Sequence, residues 1–361
     1  MGRFKENDLP KAKITASSIN KAKIIFKYAG KNTWKFYLGL LFLLLTSVTA
    51  LAFPKFMGML AIVLIAQFFT SCNNKNTDTN KADNKAKKVG LLLVNHGSRS
   101  ETWRNALLDL EKNVSSKILE EGKIKGIKTA FMEYTEPSIA TRLKEFDDEG
   151  YSDIIVVPIF LTVSSHTFDD IPTIMGQKAD PHSKSAFKLE NIKIYKPKAN
   201  TYLAPNLDFT DILKKNVEAR VKALSKNPAS EGVVLIGYGD ATYDKEWVAL
   251  FDEVGKYVKE QSGITEHNYG WCGHLVHYDS QKTTDAVNEM LKKKQTAIVI
   301  PVLVAHDEEF QNNIIGGGVK KVKDYTKKVM YKTDAILPDK NIEQWVIDIT
   351  SEYLKKVESA K

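Results

Sequence analysis

Cysteine is nearly missing from this chain. Its 361 residues include two, Cys72 and Cys272, in unrelated contexts and with no CxxC pattern. That excludes a disulfide framework and a cysteine-type zinc site. A Walker A pattern, GxxxxGK[ST], is also absent, which excludes P-loop nucleotide chemistry. Net positive charge is scarce over most of the chain. The formal net charge is +8, but the residues before Phe36 carry Arg3, Lys5, Lys11, Lys13, Lys21, Lys23, Lys27, Lys31 and Lys35 against Glu6 and Asp8. Seven of the eight net charges therefore sit at the front. The remainder is close to neutral, so charge gives no argument for nucleic acid, and no such partner is expected. Residues 73–88 lack large apolar side chains altogether, which predicts a flexible linker.

Apolar residues are plentiful, at 43% of the chain, enough for sizeable cores. They begin in one long run, "FYLGLLFLLLTSVTALAF" at 36–53, nearly long enough to cross a bilayer, followed after Pro54 and Lys55 by a shorter run at 56–70. Residues 1–72 read as a membrane or signal-anchor segment, and the basic stretch ahead of it predicts a cytoplasmic amino terminus. Small residues before Cys72 and a polar tract after it resemble a bacterial lipoprotein signal. That resemblance implies lipidation of Cys72 and a membrane-anchored domain outside the cytoplasm, periplasmic or at the surface. Residues 23–58 resemble the start of an ABC exporter membrane domain; a transport subunit is thus a reading for the front segment alone.

From Val89 strands and helices alternate. "VGLLLVN" (89–95) and "DIIVVPIFL" (153–161) are apolar without interruption, as strands buried on both faces are. "GIKTAFMEY" (126–134) and "NIKIYKP" (191–197) read as two more strands. Trp103, Ala106, Leu107, Leu110, Val114 and Ile118 fall at helical spacing, "PSIATRLKEF" (137–146) reads as a helix with Pro137 in its first turn, and another helix starts near Thr167. The pattern repeats. "LLLVNHGS" (91–98) matches "VVLIGYGD" (233–240), each followed by a tryptophan, and "DIIVVPIFL" matches "TAIVIPVLV" (296–304), proline on proline. The expected fold class is α/β, with two similar three-layer domains of parallel sheet at 89–205 and 206–361 behind the membrane segment.

Ligands of open α/β sheets sit at the carboxyl ends of the strands. Three polar residues fall there in the first half: His96, Glu133 and His166. Two imidazoles and a carboxylate suit a first-row divalent metal, and also proton abstraction near neutral pH. Gly97 allows close backbone approach, and Ser98 offers a hydroxyl.

The blocks "NHGSR", "AFMEYTEPSI" and "VVPIFLTVSSHTFDDIP" resemble the class II chelatases of tetrapyrrole biosynthesis, the sirohydrochlorin cobalto- and ferrochelatases of the cobalamin and sirohaem pathways. The resemblance spans about 89–335 and is strongest over 89–175. It implies two α/β domains with the macrocycle between them, insertion of Co2+, Fe2+ or Ni2+ without ATP, and no cofactor beyond that substrate metal. Carried over by position, the family's histidines fall on His96 and His166 and its carboxylate on Glu133, in metal-binding and catalytic roles. Ser98 and Arg99 are candidate contacts to a carboxylate-rich macrocycle. The second half departs from the pattern. Tyr238 stands in the place of His96. "GWCGHLVHYDSQKT" (270–283) offers His274 and His277 where the glutamate block is expected. His306 follows the last apolar strand, although aligning Phe310 with Phe168 sets Glu308 opposite His166. His274, His277 and His306 are secondary candidates; Cys272 is expected to pack in a strand. The competing function is an anchored lipoprotein that captures metal or tetrapyrrole without turnover.

Overall fold

A computed structural model describes residues 87–161, 164–207 and 209–360, together with Phe42. Apart from Phe42, the expected membrane segment, the exporter-like stretch and Cys72 lie outside the described residues, as does most of the linker. Among the described residues no helix is long and apolar enough to cross a membrane.

The first half is β1 (Val89–Asn95), α1 (Glu101–Leu119), β2 (Ile124–Phe131), α2 (Ile139–Asp148), β3 (Asp153–Pro158), a π-helical turn (His166–Asp170) running into α3 (Ile171–Ile174), α4 (Pro181–Glu190) and β4 (Asn200–Leu203). The second half repeats it. α5 (Phe209–Leu224) leads to β5 (Glu231–Gly237), α6 (Asp244–Ser262), β6 (Glu266–Trp271), α7 (Gln281–Leu291) and β7 (Thr296–Val302). A second π-helical turn (Glu309–Ile315) then runs into α8 (Gly316–Lys320), followed by α9 (Tyr325–Lys328), β8 (Val329–Tyr331) and α10 (Lys340–Ser359).

Both sheets are fully parallel and share one topology, β2-β1-β3-β4 and β6-β5-β7-β8. The apolar runs become the inner strands because both of their faces are covered. In β1, Leu91 and Leu93 enter a core shared by the two halves, while Leu92 and Val94 enter a core private to the first half. In β5, Val233 and Leu235 join the shared core, and Val234 and Ile236 a core private to the second. The alternation is the period of two that a strand imposes.

The prolines confirm the repeat in register. Pro158 lies opposite Val94 and Pro301 opposite Ile236, each two residues before His96 and Tyr238. Pairing to the outer strands ends before either proline, at Val156 and Val299, so the missing N–H leaves no ladder gap there.

Two elements depart from the sequence reading. "NIKIYKP" is not a strand; β4 forms later, at Asn200–Leu203. The Asp147 carboxylate accepts hydrogen bonds from Tyr195 Oη (2.9 Å), Lys198 N (2.8 Å) and Ala199 N (3.1 Å), holding that segment across the end of α2. Asp153 then accepts from Asn200 Nδ2 and Tyr202 Oη and fixes β4 beside β3. Pro137 lies one residue ahead of the α2 cap, Ser138, whose hydroxyl accepts from Thr141 N.

The division at 205/206 coincides with the β4–α5 connection, but the chain crosses back after it. The last helix, α10, packs on α1 and β3 of the first half, where Asn113 Nδ2 donates to Glu343 Oε1 at 2.9 Å. Helix α5 packs on α6 and β7 of the second. Val346 and Val357 of α10 and Val217 and Val221 of α5 all belong to the shared core.

Candidate active site

The loops after β1, β2 and β3 bring His96, Glu133 and His166 together. Their ligand atoms lie within 4.8 Å of one another. The two imidazoles meet edge to face with centroids 4.9 Å apart. Pairing between β1 and β2 continues past both strands: Met132 N donates to Asn95 O at 2.8 Å and Glu133 N to His96 O at 2.9 Å. That extension sets His96 beside Glu133. It depends on Gly97, whose φ is +101° and where a Cβ would lie 2.1 Å from the Glu133 carbonyl oxygen. Glu133 is buried, 9% exposed.

Each histidine is oriented by its Nδ1. His96 Nδ1 lies 3.0 Å from Gly97 O. A carbonyl can only accept, so Nδ1 carries the proton and Nε2 keeps the free lone pair. His166 opens the first π-helical turn, and its Nδ1 meets Asp170 Oδ2 at 2.7 Å, four residues on. A carboxylate behind a ligating imidazole fixes its tautomer and raises its basicity. The two rings are pushed in opposite directions. Burial, helped by the charge of His166, lowers the pKa of His96 against a smaller opposing pull from Glu133. Burial also acts on His166, but the Asp170 hydrogen bond and the charge of Glu133 outweigh it and raise its pKa. One imidazole is thus held toward the neutral form and the other toward the charged form, beside two carboxylates that a cation would neutralise.

Asp170 carries no role in the sequence reading; its i,i+4 spacing from His166 is the available signal. Glu190 is a second residue that sequence reasoning missed. It ends α4 far along the chain, exposed, and desolvation with the charge of Glu133 raises its pKa. Tyr134 stands at the mouth with φ +64°, its phenol pushed up to about 12 by burial and by Glu133.

His96 and His166 open into a cleft of about 860 Å³ lined by both halves, within the range of small-molecule sites, with Glu133 buried behind them. Trp103 and Trp247, the repeated tryptophans, line it, as do Ser98, Arg99, Tyr238 and His274. His277 and His306 are not among its lining residues. Ser98 uses its hydroxyl to donate to Asp307 Oδ2 at 2.6 Å across the cleft. Ser100 Oγ and Thr102 Oγ1 likewise donate to Glu308, at 2.7 and 2.5 Å. Arg99 lies over the Tyr134 ring, 5.4 Å from its centroid.

A family model described as CbiX matches residues 90–224. The chain is 34% identical over 98 residues to a sirohydrochlorin cobaltochelatase of Methanococcoides burtonii, covering 27% of this chain and 70% of that protein. It is 36% identical over 92 residues to the Methanocaldococcus jannaschii protein of the same name, covering 26% of this chain and 62% of that one. This chain belongs to the CbiX sirohydrochlorin chelatase family. Its fold is also that of SirB from Bacillus subtilis, solved with Fe3+, at a TM-score of 0.55 and 18% identity over 76% of this chain and 98% of SirB.

The group of His96, Glu133 and His166 has no counterpart in the second half. Cys272 N donates to Gly237 O and Gly273 N to Tyr238 O, repeating the two bonds that join Asn95–Met132 and His96–Glu133. Tyr238 therefore stands for His96, Gly273 for Glu133, and His274 for Tyr134. The second π-helical turn starts at Glu309, eight residues after Pro301 as His166 is after Pro158. Neither His306 nor Glu308 is the equivalent of His166. Cys272 is buried just past the end of β6, where burial alone drives its thiol pKa well above the ordinary range. Among the described residues His96, Glu133 and His166 form the only such metal-ligand group.

Proposed function

We propose that the chain inserts a divalent metal, Co2+, Fe2+ or Ni2+, into a sirohydrochlorin-type tetrapyrrole without ATP, for cobalamin or sirohaem formation. The observation that carries this reading is the triad: two imidazoles anchored through Nδ1 and one buried carboxylate, at the carboxyl edge of a parallel sheet, with both imidazoles facing a cleft between two halves. The donor set suits each of the three metals and does not rank them.

In this reading the metal is a substrate. Nε2 of His96 and His166 and an oxygen of Glu133 receive it from water, with the cation taking the place of the proton that His166 tends to hold. Asp170 and the Gly97 carbonyl keep the two rings aimed. Insertion releases two pyrrole protons, and carboxylates beside the ring nitrogens accept them. Glu133 takes the first in this reading, and Glu190, an exposed carboxyl whose pKa the charge of Glu133 helps to raise, takes the second. Arg99 is the one arginine, and no lysine is present, among the described lining residues. The acids of the macrocycle are accordingly directed outward to solvent, rather than inward to a basic pocket.

The test is steady-state insertion into sirohydrochlorin by the full chain, followed by absorption. His96→Ala and His166→Ala are expected to lower the rate about 10²- to 10⁴-fold. Tight binding of metal or macrocycle with no metallated product favours a capture protein instead. The proposal extends to anchoring: the apolar run at 36–53 and the sequence around Cys72 support a membrane-tethered domain outside the cytoplasm. Labelled fatty acid retained by Cys72→Ser protein removes the lipid anchor.

A further inference from the structure

The second half is built as a wall of aromatic rings where the first half has ligands. We infer that this wall holds one face of the macrocycle by stacking, with Tyr238 as the residue that positions it, and that metal reaches the ring only from the first-half face. The inference rests on the proposed function and assigns the second half its part in it.

His96 and Glu133 are exchanged as a pair for Tyr238 and Gly273. A Cβ at Gly273 would lie 2.5 Å from Tyr238 O, 2.7 Å from its Cδ1 and 2.8 Å from its Cε1. The carbonyl and ring of the tyrosine together occupy the space that a side chain at the glutamate position needs. The two replacements form one unit, and the wall they make excludes a carboxylate there. Around Tyr238 the rings of His274, Phe310 and Tyr278 have centroids 5.4, 5.6 and 6.5 Å away, and Tyr278 lies 6.1 Å from Phe310. Tyr238 Oη is tied to Tyr278 Oη at 3.2 Å and to His274 Nδ1 at 3.3 Å, which fixes the ring plane. All four residues line the cleft that His96 and His166 line. Burial holds the Tyr238 phenol far above its ordinary pKa, so it offers a neutral surface and no phenolate to a cation. A flat conjugated macrocycle has large π faces, and aromatic rings hold such faces at centroid separations of about 4.5–7 Å. Of the two walls, then, the first presents metal ligands among Trp103, Tyr134 and Phe160, and the second presents rings without such a ligand group.

The full chain and its Tyr238→Ala, Tyr238→Phe, Tyr238→His and Phe310→Leu variants test this with two metal-free probes, sirohydrochlorin and uroporphyrin. Macrocycle affinity is read by absorption and tryptophan quenching, and Co(II) affinity and stoichiometry by the ligand-field spectrum. Tyr238→Ala is expected to weaken both macrocycles about tenfold, with Tyr238→Phe within about twofold of wild type and Phe310→Leu between them. Co(II) affinity stays at the wild-type value, and Tyr238→His still binds a single Co(II), since Gly273 supplies no carboxylate. Wild-type affinity in Tyr238→Ala overturns the inference. So does equal damage in Tyr238→Phe, a second Co(II) in Tyr238→His, or a wild-type chain that binds neither macrocycle. If Tyr238→Ala loses its melting transition, Tyr238→Phe and Phe310→Leu decide. Macrocycle binding that follows this pattern while no metal is inserted refutes the proposed function and leaves the stacking wall standing.

Discussion

At the scale of single residues, the site depends on groups that set angles as much as on those that bind. Gly97 is one: any side chain there meets both a left-handed φ and the Glu133 carbonyl. Gly97→Ala is expected to cost about 1–3 kcal/mol of stability and to separate His96 from Glu133. A melting curve and a Co(II) titration check both effects; unchanged metal affinity would show that the turn does not position the ligands. Asp170 is another. Asp170→Asn should lower Co(II) affinity about 10- to 100-fold with the fold intact, since it acts only on the aim and basicity of His166. The three ligands were legible in the sequence because each follows an apolar or strand-like run. Asp170 was legible in principle from its spacing. Glu190 was not, because nothing local connects the end of α4 to the end of β2.

At the scale of elements, the loop between β1 and α1 is fastened to the loop after β7. Glu308 accepts from Ser100 and Thr102, and these bonds lower its carboxyl pKa to about 2 from 4.5. A carboxyl lowered in the folded state stabilises the fold above its unfolded pKa, and that contribution is lost as pH falls through the folded value. Melting temperatures of wild type and Glu308→Gln should therefore differ near neutrality and converge between about pH 4.5 and about pH 2. A gap that is constant across that window would mean that the latch does not depend on the charge. The inner strands were legible as uninterrupted apolar runs. The outer strand β4 was not: "NIKIYKP" has better strand composition, but hydrogen bonds to Asp147 and Asp153 decide where pairing begins. The repeat was legible through its prolines and glycines. Its third block was ambiguous because only the start of the π-helical turn selects Glu309 over His306 or Glu308.

At the scale of the whole molecule, sequence order and spatial order part company. Helix α10 completes the first half although it ends the chain, and an apolar stripe alone does not say which sheet it covers. Truncation before Lys340 is expected to uncover the shared core beside β3 and to abolish the cooperative melting transition. A truncated chain that melts like wild type would contradict the crossing. The division of labour between the halves depends on the same architecture, with ligands on one wall and rings on the other. The measurement that tests it most directly is a single turnover. Full-length chain loaded with one equivalent of Co(II) is mixed with sirohydrochlorin, without ATP, and the absorption spectrum is followed. The metallated spectrum is expected, at a rate that collapses in His96→Ala and His166→Ala. A spectrum that shifts on binding but never becomes that of the cobalt complex would contradict it.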